Sequence, residues 1–401
     1  MNLPDGYQLT ELERATGLVI APHKDAPKLP PAPRAVTPRD ALADEIRSAL
    51  RRPPCVVLFS GGRDSSGLLA TAAHIARTEG LTAPIALTFR FPSEMPRADE
   101  SDWQEIVIRH AQIEDWIRIE VTDELDCLGQ IGRDVLRRHK LIYPIAPHNL
   151  VPALRRCRGG SIVTGIGGDE MLGRRSRVAD VLARRVRPVP RDAARIAIAI
   201  GPRSVRRARA RGQAPAFVNW LTPFGRAAFE SHWADVVASN PVTSRRGIRW
   251  AWRSRALQIG LAAMDLLARD HDVHLHHPFS SPRFVSVLAK EAGIRGYADR
   301  TDVMRILFGP LLPDEIRSRA TKAAFGAPHW THYSQEFARS WTGEGVDPDL
   351  VDIGALRDLW AGVTPPPGPT LILLKQAWLA SNGIGQEFES SARSRSAALA
   401  S

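Results

Sequence analysis

Two short stretches combine hydroxyls, glycines and carboxylates in an order that suits a large anion and its counter-ion. The first, from Cys55 to Gly67, reads CVVLFSGGRDSSG, an apolar run leading into Ser60-Gly61-Gly62-Arg63-Asp64-Ser65-Ser66. Such a run predicts a buried strand, and the following SSGLLATAAHIART predicts a helix stopped by Gly80. Ligands of open α/β sheets bind where strands end and helices begin. There Gly61 and Gly62 let backbone amides approach an anion, the helix N-terminus favours negative charge, and Ser60, Ser65 and Ser66 add hydroxyl donors. The implied ligand is a polyphosphate, with an ordinary glycine turn as the competing reading. Asp64 would repel phosphate unless a cation intervened, and Mg2+ held by carboxylate and phosphate oxygens meets that need. Neither G-x-x-x-x-G-K-[ST] nor G-x-G-x-x-G stands at this turn. The second stretch, SIVTGIGGDEMLG (161–173), repeats the order of strand, glycine turn, paired acids and helix.

On a strand–turn–helix, S-G-G-x-D-S resembles the pyrophosphate loop of the ATP-pyrophosphatase (PP-loop) superfamily. Its enzymes split ATP between the α and β phosphates and attach AMP to a substrate. Residues 161–173 resemble the S-G-x-G-x-D-E-x-x-G motif of the asparagine synthetase C-terminal (synthetase) domain. In the same order, ADESDWQEIVIRHA (98–111) is similar to that family's D-E-S-x-x-A segment and HDVHLHHPFSSPRFV (271–285) to its V-E-x-R-x-P-F-L-D stretch. RATKAAFGAPHW (319–330) resembles its R-x-K-x-G-F-G-x-P segment, and the five matches cover about residues 40–385. The resemblance implies an adenine nucleotide alpha hydrolase-like fold, ATP and Mg2+, and an amide ligase that adenylates a carboxylate. It gives Ser60, Gly61, Gly62, Ser65 and Ser66 to pyrophosphate, and Asp64 and Asp169 to Mg2+. Leu58, Phe89, Thr164 and Gly165 would line the adenosine site, and Lys322 would meet the α-phosphate.

The chain departs from the family pattern at several positions. Glutamine-dependent asparagine synthetases carry a catalytic cysteine directly after the initiator methionine; here residue 2 is Asn2 and the first cysteine is Cys55, within a predicted strand. The stretch LPDGYQLTELERATG (3–17) looks like the last strand pair of a glutaminase domain, so an enzyme independent of glutamine is expected. Ile166 stands where asparagine synthetases have an acid and the β-lactam-forming relative a tyrosine, and isoleucine does no general-base work. Ser280 replaces the Asp of P-F-L-D, and Arg174 replaces the second glycine after D-E. A histidine titrates near neutrality, so His274, with His276 and His277 beside it, is a candidate acid–base group; packing and metal binding are the other readings of HDVHLHH. These changes imply a reshaped acceptor pocket. Lasso-peptide macrolactam synthetases and β-lactam synthetase share the domain without using glutamine, which makes a precursor peptide, and partner proteins of a peptide-maturation pathway, the expected partners. An ammonia-dependent asparagine synthetase, a tRNA-modifying PP-loop enzyme and a non-catalytic binding subunit are the alternatives.

The remaining elements must position these loops. Strands at 55–59, 84–91, 116–121 and 161–165 alternating with helices predict a parallel, doubly wound sheet, followed beyond residue 173 by helical segments at 214–240, 247–270, 282–292, 301–309, 353–361 and 370–381. The expected divisions are a glutaminase-end remnant with a proline-rich linker (1–38), the nucleotide-binding α/β core (39–175), a helical region completing the site (176–385) and a disordered tail (386–401). At 401 residues, 44% of them hydrophobic, the chain can bury a large core. The three unpaired cysteines, the polar N-terminus and the lack of a spanning apolar run predict a cytoplasmic protein with no membrane contact. Of the net charge, +11 in all, thirteen arginines against Asp180 and Asp192 between Gly173 and Gly212 carry the whole excess. That segment reads either as a solvated surface or as a field for an acidic peptide. Aromatics are not interleaved with it, which argues against nucleic acid.

Overall fold

Both glycine turns lie on one edge of a five-stranded parallel sheet. The computed structural model describes residues 3–92, 95, 98–173, 177–319, 321, 327–362 and 364–384. Helix α1 (Glu11–Thr16) opens with a Thr10–Glu13 capping box, and a 3-10 turn (Asp5–Tyr7) precedes it. The strand pair expected at 3–17 is therefore helical: the reciprocal cap satisfies backbone donors that a strand would leave for a sheet partner. Residues 21–37 form a strap rather than a free linker. Trp252 Nε1 donates to Pro27 O, Ser286 Oγ to Pro30 O and Lys290 Nζ to Pro33 O.

The sheet then builds in alternation: α2 (Pro38–Leu50), β1 (Cys55–Leu58), α3 (Arg63–Glu79), β2 (Ile85–Arg90), α4 (Ser101–Ala111), β3 (Trp116–Glu120), α5 (Gln130–His139), α6 (Val151–Leu154), β4 (Ser161–Val163) and α7 (Gly168–Leu172). Gly80 ends α3 in the left-handed conformation, as its glycine predicts. An arginine-rich arm follows as α8 (Arg177–Leu182), α9 (Pro190–Ile200) and α10 (Arg203–Ala210), then α11 (Pro223–Ser239), α12 (Ser244–Trp252) and α13 (Arg255–Asp270). The single helix expected over 247–270 breaks at Arg253 and Ser254. A fifth strand, β5 (His274–His276), precedes α14 (Pro282–Ala292), α15 (Arg300–Phe308), α16 (Asp314–Ser318), α17 (His332–Ser340), α18 (Ile353–Trp360) and α19 (Thr370–Ser381).

Strand order is β3-β2-β1-β4-β5 with every pairing parallel. The chain leaves β1 for β2 on one side and reaches β4 on the other, so the crevice outside the C-terminal ends of β1 and β4 is the topological switch point. The pleat sends Cys55 and Val57 to a core shared with α2, α3, α14 and α15, while Val56 faces a second core with Leu154 and Met264. A third core gathers Trp220, from the segment before α11, with Trp341, Trp360 and Trp378 of the C-terminal region. The site stands on the first two. The tail expected to be disordered (386–401) lies outside the described residues.

Candidate active site

The first loop is built from donors that already face one another. Gly61 takes a left-handed φ of 87°, and a Cβ there would come within 2.9 Å of Gln104 Cγ. The tight approach lets Gln104 Nε2 donate to Ser60 O at 3.1 Å. Ser65 Oγ donates to Gly62 O at 3.1 Å and lies 3.1 Å from Ser60 Oγ, which accepts from Gly62 N. Serine hydroxyls and backbone amides thus cluster at the N-terminus of α3. Ser66 is fully buried beneath them, and its Oγ has no hydrogen-bond partner among the described residues.

The second loop meets the first. Thr164 N donates to His276 O, and Thr164 Oγ1 lies 2.6 Å from His277 Nδ1. Ser280 Oγ donates to Ile166 O at 3.0 Å, so this serine holds the loop backbone. Gly167 is left-handed (φ 91°) where a side chain would collide with Ser280. At Gly168 a methyl group would overlap the Asp64 carboxylate. The glycines between the two turns therefore permit contact between them.

Arg300, the first residue of α15, stitches that contact. Its Nη2 is 2.5 Å from both Asp64 oxygens and 3.9 Å from Asp169 Oδ1, while Nη1 donates to Gly168 O at 2.9 Å. Asp64 and Asp169 thus converge on one point. Burial raises the Asp64 pKa, with the Asp169 charge adding and Arg300 opposing. Arg63 stands in the same field, its pKa lowered by burial and by Arg300.

Beside the first loop opens a cleft of about 240 Å³ lined by Leu58, Leu87, Phe89, Phe91, Asn149 and His329 among others, with Ser60 at its edge. Its walls are apolar, and Asn149 Nδ2 lies 2.7 Å from His329 Nε2 on the polar side. Such a lining suits a flat heterocycle. Around the loop, Arg319 makes a two-pronged buried pair with Glu100 and donates to Gly61 O at 3.1 Å.

Ser60, Gly61, Gly62, Asp64, Ser65, Thr164, Gly165 and Asp169 lie together at the switch point, and Leu58 and Phe89 line the adjoining cleft. Lys322 lies outside the described residues, as does Arg174. His274 is not brought to the loops. It pairs with Ser161 at the start of β4, the end of the strand pair away from the turn, so the histidine that reaches the second loop is His277. Burial pushes the His277 pKa down to about 4. Sequence reasoning passed over Glu100, Asn149, Arg300, Arg319 and His329. Glu100 and Arg319 fall inside the D-E-S and R-x-K matches; nothing local marks Arg300.

The asparagine synthase family model matches residues 37–366. The chain belongs to the asparagine synthase family. No curated protein matches the chain. Members of the asparagine synthase family are ATP-dependent ligases that form carbon–nitrogen bonds, and this chain is an ATP-dependent amide ligase of that type. The family uses ATP, typically with Mg2+, and the donor set is consistent with that. Two converging carboxylates with no third protein ligand suit a hard cation completed by phosphate and water; among the described residues no group of three His, Cys, Asp or Glu side chains gathers to hold a metal. Among them, too, no helix is long and apolar enough to cross a membrane.

Proposed function

We propose that this ligase adenylates a carboxylate of a peptide, releasing pyrophosphate, and joins it to an amine of the same peptide, closing a lasso-type macrolactam without hydrolysing glutamine. The observation that carries the adenylation step is the convergence of Asp64 and Asp169 on Arg300 Nη2 at the hydroxyl-rich loop, whose Ser60 edges the apolar cleft. A carboxylate is a poor electrophile because oxide is a poor leaving group, and AMP supplies a good one. A bound Mg2+ would neutralise charge on the triphosphate; Asp64 and Asp169 are the residues that would hold it.

The chain's own groups do the rest. Leu58, Leu87 and Phe89 offer apolar surface to the base, and Asn149 and His329 give it a polar edge. Ser60, Ser65 and the first amides of α3 face the departing pyrophosphate, where fixed donors favour the charge that develops. Lys322 would serve the α-phosphate; its segment is flanked by Arg319 on Gly61 O and by Pro328 and His329 in the cleft wall. Ile166 packs against apolar residues and takes no proton, so the amine must lose its proton elsewhere.

Two features support the acceptor side of the reading. Cys55, Cys127 and Cys157 are all buried, with thiol pKa values pushed up by burial to about 11, 12 and 11. None offers the exposed, acidic thiol that cysteine-dependent glutamine hydrolysis requires. The arginine-rich arm is fastened to the core through Arg185, which donates to Arg295 O at 2.8 Å, and it offers an acidic peptide, or a protein that delivers one, a complementary charge.

Pyrophosphate release from ATP, measured with acidic candidate peptides, with aspartate plus ammonia and with tRNA, tests the reading. Release is expected with a peptide, together with loss of one water from its mass. Full turnover of aspartate with ammonia would overturn the peptide substrate. Release with tRNA alone would overturn the carboxylate substrate.

A further inference from the structure

The Arg300 guanidinium occupies the oxygens that a metal would need. A single nitrogen, Nη2, lies 2.5 Å from Oδ1 and 2.5 Å from Oδ2 of Asp64, the symmetric approach of a cation to a bidentate carboxylate. The same nitrogen is 3.9 Å from Asp169, and the other terminal nitrogen is bonded to Gly168 O in the second loop. One side chain therefore bridges the two turns through the carboxylates assigned above to the metal.

This position is imposed by the fold. Asp299 caps α15 through Asp302 N at 2.8 Å, which sets where Arg300 begins. At the other end of α15, Phe308 lies on Gly67 of α3, where a Cβ would come within 2.5 Å of its ring. Arg39 Nε and Nη2 donate to Ile306 O, at 3.1 and 2.8 Å, and fix the last turn. The helix is thus held at both ends, and any adjustment at the site falls to the Arg300 side chain, 17% exposed.

We propose that Arg300 is an internal counter-ion for Asp64 that yields the carboxylate to the metal–nucleotide complex and moves onto the β and γ phosphates, making it a ligand of the pyrophosphate leaving group. A nitrogen placed symmetrically on both Asp64 oxygens stands where a cation chelated by that carboxylate would stand, so the two compete for one position. Once displaced, Arg300 is repelled by the metal, and the nearest unneutralised anion is the polyphosphate at the N-terminus of α3. A planar fork of donors suits that ligand better than any other. Arg63, at the first position of α3, stands in the same field as a second cation. The exchange keeps the site's charge compensated at each stage, and it makes metal and nucleotide binding mutually dependent. This inference rests on the adenylation reading.

Arg300→Met and Arg300→Lys test it with two ligands, neither of which requires turnover. Mn2+ alone, followed by its paramagnetic signal, should bind Arg300→Met about tenfold or more tightly than wild type, because its competitor is gone. Inorganic pyrophosphate, added at Mn2+ concentrations that saturate both proteins and followed by calorimetry, should bind the same variant about tenfold or more weakly, because the displaced guanidinium is no longer there to meet it. Lysine keeps the charge but lacks the planar fork whose two nitrogens reach Asp64 and Gly168 O separately, so Arg300→Lys should tighten Mn2+ by a smaller factor and retain part of the pyrophosphate affinity. It also decides the matter if Arg300→Met does not fold. Unchanged or weaker Mn2+ binding in the folded variants would overturn the counter-ion, and unchanged pyrophosphate binding would overturn the phosphate ligand. A wild-type enzyme that binds neither MgATP nor pyrophosphate would remove the adenylation reading and this inference together. A wild type that binds both, with variants that match it, removes this inference alone.

Discussion

Arg319 and Glu100 form a buried ion pair beneath the first loop, the two residues being 6% and 7% exposed and 219 positions apart in sequence. Arg319 also donates to Gly61 O at 3.1 Å and stacks over the Trp103 ring, its Cζ 4.7 Å from the centroid. Three elements, the first loop, α4 and the segment leading to Lys322, thus depend on one guanidinium. Removing one partner of such a pair leaves an uncompensated buried charge, at a cost of about 3–5 kcal/mol. Glu100→Ala should lower the urea midpoint accordingly and weaken ATP binding. In the double variant with Arg319→Met, much of the stability should return, while the ATP affinity should not. Equal recovery of both would mean that the pair does not organise the loop.

The contact between the loops gives a second prediction. Gly168 has no Cβ, and a methyl group there would overlap the Asp64 carboxylate. Gly168→Ala should push that carboxylate off its position and lower pyrophosphate release at least tenfold, since an ångström of misplacement can cost about 10²-fold. Because Gly168 starts the short helix α7 at the crevice, the loss of stability should be modest. Unfolding midpoints and release rates measured on the same preparation separate the two effects; wild-type release would mean that Asp64 adapts without cost.

Protonation of Asp64 gives a third. Burial raises its pKa first, and the neighbouring Asp169 charge raises it further against the pull of Arg300. Metal binding needs the ionised form. MgATP affinity should therefore fall, as pH is lowered, at a pH above that of an ordinary aspartate, whose pKa is about 3.9. Asp64→Asn should abolish turnover with folding intact and remove this limb from the binding profile. An active Asp64→Asn enzyme would refute the metal assignment.

Much of this site could be read from local sequence, and what was missed has a common cause. Ser60 to Ser66 announces itself because strand, glycines, hydroxyls and helix follow one another within a single turn, and the same holds for Thr164 to Glu170. The apolar spacing of α2, α3 and α4 likewise survives folding because each helix buries the face its own pattern defines. Arg300 reaches Asp64 across 236 positions, and no period or motif encodes that distance. β5 was missed for a related reason. His274-Leu275-His276 is too short and too polar to read as a strand, and it becomes one because β4 offers an open edge. At residues 3–17 the error ran the other way: a resemblance suggested strands, whereas Thr10 and Glu13 carried a helix-start signal in plain view.

Three enclosed imidazoles, His148 fully buried and His277 and His329 half-buried, make the fold sensitive to acid. Burial pushes the pKa of His148 down to about 3 and those of His277 and His329 to about 4. In the unfolded chain the same groups titrate near 6.5. Between these values the unfolded state binds more protons than the folded one, so stability rises with pH across that window and falls as pH drops through it. Each group contributes a slope of at most about 1.4 kcal/mol per pH unit. All three hold functional segments: His148 bonds Leu125 O at 2.9 Å, His277 bonds Thr164, and His329 meets Asn149 in the cleft. The urea midpoint should therefore be lower at pH 5 than at pH 7. His148→Gln, which removes the protonation but leaves a donor for Leu125 O, should flatten part of the slope. A midpoint independent of pH over this range would show that the three imidazoles are solvated.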